Sequence, residues 1–171
     1  MSPDVQISRA QPGDAEALTA IAFSAKRHWG YPERWIQRWR DQLTLTPDYV
    51  RAHPTFVARR GTEFVGFCAI RLGGAAAAVD HLWVVPEEMG RGVGKSLFAH
   101  CEGAARECGA ILLTVESDPN AERFYLSMGA EAVGRKPAFM DGRERYLPLL
   151  EKSLNQHEHP TRRLHAELRS R

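Results

Sequence analysis

Val84-Val85-Pro86-Glu87-Glu88-Met89-Gly90-Arg91-Gly92-Val93-Gly94-Lys95-Ser96-Leu97 runs from an apolar strand through a glycine-rich turn straight into a helix. The alternation of Gly90, Gly92 and Gly94 removes side chains from three turn positions, so backbone N–H groups can point inward at a ligand. The helix behind the turn adds its unpaired N-terminal donors and the positive end of its dipole. Such an arrangement is an anion site of the kind that holds phosphates.

Spacing separates the phosphate-binding turns of this kind. A dinucleotide fingerprint needs G-x-G-x-x-G, whereas these glycines fall as G-x-G-x-G. A P-loop, G-x-x-x-x-G-K-[ST], would end on Gly94-Lys95-Ser96, but its first glycine would stand where Met89 is. A P-loop also opens a long α/β sheet, and too little chain follows Ser96 for one. Met89-Gly90-Arg91-Gly92-Val93-Gly94 instead resembles the coenzyme A loop of the GCN5-related N-acetyltransferases (the GNAT family), Q/R-x-x-G-x-G/A, with Met89 at the usual Gln or Arg position. A side-chain contact from that position is lost, and the backbone amides remain.

A second block has the same affinity. Asp118-Pro119-Asn120-Ala121-Glu122-Arg123-Phe124-Tyr125-Leu126-Ser127-Met128-Gly129-Ala130 resembles the family's N-x-x-A-x-x-F-Y-x-x-x-G-F segment, with Ala130 in place of the final Phe. The chain between Gly94 and Asn120 suits one helix and one strand, which the family places there. The resemblance spans residues 56–150; the first 50 residues agree in layout more than in letters. It implies an α/β (α+β) fold with a mixed, mostly antiparallel twisted sheet of about six to seven strands and helices on both faces. It also implies an acyl-CoA-dependent N-acyltransferase, most naturally an acetyltransferase using acetyl-CoA.

Composition agrees with one enzyme domain. The chain has 171 residues, 43% of them hydrophobic, enough for one core and too few for two ordinary ones. Charge is nearly balanced, 23 Lys+Arg against 21 Asp+Glu, so nothing global argues for nucleic acid or an acidic membrane. No apolar run approaches the roughly 20 residues of a membrane span, and the N-terminus does not read as a signal peptide. The expectation is a cytoplasmic protein. Cys68, Cys101 and Cys108 form no C-x-x-C pair, and Cys101 and Cys108, seven apart, read as small core residues on one helix face. The histidines form no zinc-like set, so no metal is expected.

The periodicities predict a strand at 5–9, a helix to about 25, and a second helix from Pro32 to about Leu43. A hairpin follows at 55–60 and 64–72, then strand 79–85, helix 92–108, strand 111–116, helix 121–128, and strands 130–134 and 143–149. The domain is set at 1–150, and 151–171 is read as a polar extension packing on its own or a neighbouring subunit, as in a homodimer.

The resemblance also assigns roles. It implies that Met89, Gly90, Arg91, Gly92, Val93, Gly94, Lys95 and Ser96 form the pyrophosphate cradle. Backbone groups near Val84 and Val85 would pair with the pantetheine arm, one N–H polarising the thioester carbonyl. Tyr125 would protonate the departing thiolate, or be only a packed aromatic beside Phe124 and the coenzyme. Asn120 would cap its helix or hydrogen-bond the pantetheine. A primary amine arrives protonated, and Asp80 or Glu116, on neighbouring splayed strands, would take its proton through water. His81 alternates away from Asp80 and is read as packed or at the surface.

The acceptor, a small-molecule or peptide amine, would bind at Lys26-Arg27-His28-Trp29-Gly30-Tyr31-Pro32-Glu33-Arg34-Trp35. Trp29 and Tyr31 flank a glycine in a loop, and with the Glu33 carboxylate they suit a cationic amine. Trp35 and Trp39, four apart on a helix, read as covering the sheet. Two other classes fit part of the sequence: a non-catalytic acyl-CoA-binding module and a P-loop protein. Retention of Asn120 and Tyr125 argues against the first, and Met89 against the second.

Overall fold

Val57 and Ala58, adjacent on one strand, and Phe67 and Cys68, adjacent on the next, are all fully buried, because both faces of their sheet are covered. The computed structural model describes residues 4–155. Strand β1 (Val5–Arg9) is followed by helices α1 (Ala15–His28), α2 (Glu33–Arg38), α3 (Arg40–Leu43) and α4 (Pro47–Ala52). Strands β2 (Thr55–Arg60), β3 (Glu63–Gly73) and β4 (Ala76–Val84) lead into α5 (Val93–Glu107). Then come β5 (Leu112–Glu116), α6 (Glu122–Ser127), β6 (Glu131–Met140) and β7 (Arg143–Ser153).

The strands form one seven-stranded sheet in the order β1-β2-β3-β4-β5-β7-β6. Only β4 and β5 are parallel; every other pair is antiparallel. On one face α1 to α4 bring Leu18, Ile21, Ile36 and Val50 against Val57 and Phe67. On the other, Val93, Leu97, Phe98, Cys101 and Ala105 of α5 recur at helical spacing and meet Ala58 and Cys68. Gly66 lets that helix sit close. A Cβ there would stand 2.9 Å from the Trp83 carbonyl oxygen and 3.0 Å from Leu97 Cδ1.

Two features of β4 prepare the site. Its parallel pairing with β5 lasts only from Ala76–Val79 against Leu112–Val115. Its register against β3 slips just there, Ala69 opposing His81 and Ile70 opposing Val79, which leaves Asp80 as an extra residue. A bulge bends and twists the strand that carries it. Beyond Asp80, β4 has a partner on one edge only, and the sheet opens between β4 and β5.

The elements differ from the sequence reading in places. The second helix is interrupted at Trp39. Helix α4 was not expected, although Thr46 accepts the Tyr49 N–H at 3.1 Å and Pro47 fills the first helical position, both start signals. Strand β4 takes in the alanine run, beginning at Ala76. Strands β6 and β7 form a hairpin far longer than residues 130–134 and 143–149, turning at Asp141 (φ 51°) and Gly142 (φ 72°). Gly134 and Pro137 would break a central strand, but β6 lies at an edge of the sheet, where a proline's missing N–H is tolerated.

Strand β7 also passes the expected boundary at 150. Leu154, only 3% exposed, belongs to the core, and its N–H donates to the Ile111 carbonyl at 2.9 Å. The rest of the polar extension, 156–171, lies outside the described residues. Cys68 and Cys101 are buried, whereas Cys108, expected in the core, is exposed just past the end of α5. Among the described residues no helix is long and apolar enough to cross a membrane.

Candidate active site

The glycine turn has the backbone its sequence demands. Gly90 (φ 77°) and Gly92 (φ 87°) both lie in the left-handed region, which β-branched residues avoid. The N–H of Met89 donates to Pro86 and that of Arg91 to Glu88, each at 3.3 Å, so those amides are spent in shaping the turn. The first bond of α5 is Ser96 N–H to the Gly92 carbonyl at 3.0 Å. The N–H groups of Gly90, Gly92, Val93, Gly94 and Lys95 have no backbone partner among the described residues, and they lie at the end of α5 where the helix dipole is positive. Arg60 of β2 grips Glu88 with bonds of 3.0 and 2.9 Å, which fixes the turn to the sheet. This cradle fits a pyrophosphate. Val93 has only its amide to offer, since its side chain is in the core.

From the turn a cavity of about 420 Å³ runs between β4 and α6. Leu82, Trp83 and Val84 form one wall, and Phe124, Tyr125 and Met128 the other, with half-buried Trp29 also lining it. Gly94 belongs to this wall. A Cβ there would stand 3.3 Å from Phe124 Cε2 and 3.7 Å from Val84 Cγ2. Arg91 and Ser96 are exposed and do not line the cavity.

Val85 corrects the sequence reading. Its N–H donates to the Val65 carbonyl at 3.0 Å, so that donor is spent within the sheet, and its own carbonyl already accepts from Glu88. Alternation along a strand turns the N–H of Val84 the other way, toward the gap beside β5. Tyr125 packs edge-on against Phe98 and Phe124, is 6% exposed, and has no hydrogen bond to its hydroxyl among the described residues. Burial first, then the Cys101, Cys68 and Asp118 groups, push its pKa well above that of an ordinary tyrosine. The phenol therefore keeps its proton and can donate.

A second, larger groove of about 1010 Å³ lies beneath the β6–β7 hairpin. It is lined by Trp39 and Tyr49 from the helical side, Arg71, Asp80 and His81 from the sheet, and Lys136, Phe139 and Arg145 from the hairpin. The two cavities share Val79, Asp80, Trp83, Glu116, Ser117 and Asp118, the residues at the opening of the sheet. Asp80 accepts from Tyr49 at 2.5 Å and from Arg71 at 2.7 Å. Burial works to raise its pKa, but those hydrogen bonds and the His81 and Arg71 charges hold it below the usual aspartate value. Glu116 is half-exposed and has one partner, Lys136, at 3.0 Å. His81 is packed, accepting the Trp83 indole N–H at 3.1 Å, and burial above all depresses its pKa.

Where the cavities meet, a polar cluster stands that the sequence reading did not contain. Lys26, 8% exposed, reaches Asp118 at 2.5 Å and lies 4.2 Å from the Trp39 ring centre. The Tyr31 hydroxyl donates to Asp118 at 3.0 Å and accepts from Asn120 Nδ2 at 3.0 Å and Arg145 Nη2 at 2.9 Å. Burial lowers the Lys26 pKa more than Asp118 restores it, whereas at Asp118 burial is outweighed by the charge and hydrogen bond of Lys26 together with the hydrogen bonds from Asn120 and Tyr31, so its pKa is depressed. Burial and Asp118 raise Tyr31 to about 12. Lys26, Asp118 and Arg145 come from α1, the loop after β5, and β7. A buried lysine on the apolar face of α1 was the one visible signal.

The other expected residues divide. Tyr31 is engaged in this cluster, whereas Glu33 lines neither cavity and makes a surface fork with Arg27 at 2.8 and 3.0 Å and a bond to Gln37. Asn120 does not cap its helix. The carboxylate of Asp118 accepts the Asn120 N–H at 2.9 Å, and Asn120 sits inside the short turn Pro119–Ala121. Trp35 stacks on Tyr31 and Trp39 meets it edge-on under the hairpin, where the Trp35 indole N–H, Arg34 and Arg38 all bind Asp141. The aromatic helix thus holds the hairpin's tip over the groove. Among the described residues no cluster of His, Cys, Asp and Glu could hold a metal.

A sheet opened at its one parallel pair, with an amide cradle at one end of the gap and a second groove at the other, is a layout that suits an acyl-CoA-dependent acyltransferase. The family model described as an acetyltransferase (GNAT) domain matches residues 34–143, and the chain belongs to that family. It is an acyl-CoA-dependent N-acyltransferase, and acetyl-CoA is the family's donor. Solved structures agree in fold. A GCN5-related N-acetyltransferase from Rhodopseudomonas palustris is 25% identical with a TM-score of 0.68, over 90% of this chain and 96% of that one. The PaiA N-acetyltransferase of Thermoplasma acidophilum, solved with coenzyme A, is 18% identical with a TM-score of 0.69, over 88% and 99%. YncA of Salmonella typhimurium, a putative acetyltransferase solved with acetyl-CoA, is 21% identical with a TM-score of 0.66, over 92% and 98%. No curated protein sequence matches the chain.

Proposed function

We propose that the protein acetylates a primary amine by direct attack on acetyl-CoA within one ternary complex. The observation that carries this reading is the meeting of two cavities at Asp80, Glu116 and Asp118. One cavity ends in the amide cradle and the other is open to a second molecule, so donor and acceptor can be held together, and that proximity is a large part of the rate. The two solved relatives bound to coenzyme A and acetyl-CoA support the choice of donor.

The coenzyme supplies an activated thioester, and the rest of the chemistry falls to the chain. The amides of Gly90, Gly92, Val93, Gly94 and Lys95 hold the pyrophosphate. The outward N–H of Val84 donates to the carbonyl oxygen as negative charge grows there. The uncommitted hydroxyl of Tyr125 donates to the departing sulfur. An ordinary amine of pKa near 10 must first lose a proton, and Glu116 is the better acceptor, working through water. Asp80 is tied by two donors, whereas Glu116 has one partner and faces solvent. The unpaired thiols are consistent with a reducing cytoplasm as the setting.

The test is free-thiol release from acetyl-CoA across a panel of primary amines, with binding followed by thermal shift. Saturation at a hundredfold excess over Kd stabilises by about 2.7 kcal/mol. Tyr125→Phe should lower kcat by about 10²-fold while leaving acetyl-CoA affinity unchanged. Acetyl-CoA binding without amine-dependent thiol release from the wild-type protein would leave a binding module and sink the proposal.

A further inference from the structure

The ionised side chains lining the larger groove are largely neutralised in pairs. Arg38 meets Asp141 at 2.8 Å, Arg71 meets Asp80 at 2.7 Å, Lys136 meets Glu116 at 3.0 Å and Lys26 meets Asp118 at 2.5 Å. Arg145 also lines the groove, yet no carboxylate among the described residues lies within ion-pair distance of it. The lining carboxylates Asp41 and Glu151 do not pair with it either. The Lys26–Arg145–Asp118 group therefore carries one excess positive charge.

Arg145 is nonetheless held in place. Its guanidinium carbon lies 5.0 Å from the ring centre of Tyr31, 5.6 Å from that of Trp35 and 5.1 Å from that of Trp39. Its Nη2 donates to the Tyr31 hydroxyl at 2.9 Å. Those contacts orient the planar group while using one of its several N–H donors. A half-buried guanidinium with spare donors in a fixed fork matches an oxyanion in two-point geometry. Its position fits the reaction. Arg145 reaches Asp118 through the Tyr31 hydroxyl, two hydrogen bonds or roughly 6 Å away, and Asp118 stands where the two cavities join.

We propose that the acceptor is a small amine carrying a carboxylate, an amino acid rather than a simple alkylamine or polyamine, and that Arg145 recognises the carboxylate. This rests on the acetyl-transfer reading above. With the carboxylate on Arg145, an amine a few bonds away falls toward Asp118, where the two cavities join.

The test compares each amino acid with its own amide, which keeps the amine and removes the negative charge. Wild-type protein should favour the acid by at least tenfold in kcat/KM. Arg145→Gln should bring the acid down to the level of the amide, and Arg145→Lys should restore part of the difference. Acetyl-CoA affinity and melting temperature are measured beside them. If the wild type uses acid and amide equally, or Arg145→Gln lowers both by one factor, the residue is structural and the proposal is overturned. Ligand-observed NMR on coenzyme A-saturated protein separates this idea from acetyl transfer. Should no amine be acetylated, acid-selective binding that Arg145→Gln abolishes would still support it, and its absence would overturn it.

Discussion

Asp118→Ala removes the acceptor that Lys26, Tyr31 and Asn120 share, and its cost can be bounded from the structure. Lys26 and Asp118 each have side chains about 10% exposed and stand 2.5 Å apart. Deleting one partner of such a buried pair typically costs about 3–5 kcal/mol, because the other charge is left uncompensated. Lysine has an escape. It can shed its proton, at about 1.4 kcal/mol for each of the roughly three and a half units between pH 7 and an ordinary lysine pKa, which caps the charge penalty near 5 kcal/mol. The direction with pH follows. Burial already lowers the Lys26 pKa, and losing Asp118 lowers it further. Between its folded and unfolded values the unfolded chain binds more protons, so stability rises with pH. Urea melts of Asp118→Ala should therefore show a loss of about 3–5 kcal/mol at pH 7 that shrinks markedly by pH 9.5 relative to wild type. A double variant with Lys26→Met should recover part of the loss at pH 7. A loss below about 1 kcal/mol, the range of exposed pairs, or one that does not change with pH, would refute this account of the cluster.

Two further predictions concern the cradle and the sheet. Gly92→Val places a β-branched residue at φ 87°, so coenzyme affinity measured by calorimetry should fall at least tenfold; unchanged affinity would remove the turn from the binding site. Lys95→Ala, which leaves the amides in place, should matter much less. For His81, the folded pKa lies below 6.5, so the unfolded chain binds more protons there and stability should fall as pH drops from 7 toward 5. Asp80 and Asp118, held below 3.8, lose their contributions only at more acid pH. His81→Gln should flatten the slope of melting temperature over that window, and a slope unchanged by the substitution would contradict the assignment.

What the sequence determined by itself is local. Gly90 and Gly92 between a strand and a helix specify the turn, because positive φ and free helix-terminal N–H groups depend on a few consecutive residues. The Asn120–Tyr125 block likewise fixed where α6 and its tyrosine fall. The hairpin's length was not legible, since Gly134 and Pro137 stop a central strand but not an edge one, and strand order is a property of the whole sheet. Nor was the loss of the Val85 N–H as a donor, which depends on Val65 across the sheet. The acceptor side was decided by tertiary structure alone. Lys26 meets Asp118 across 92 residues and Tyr31 meets Arg145 across 114. No periodicity or spacing encodes such contacts. They form because α1, the opened end of β5 and the folded-back hairpin are packed against one sheet, and burial there makes the partners of each charge decide its chemistry.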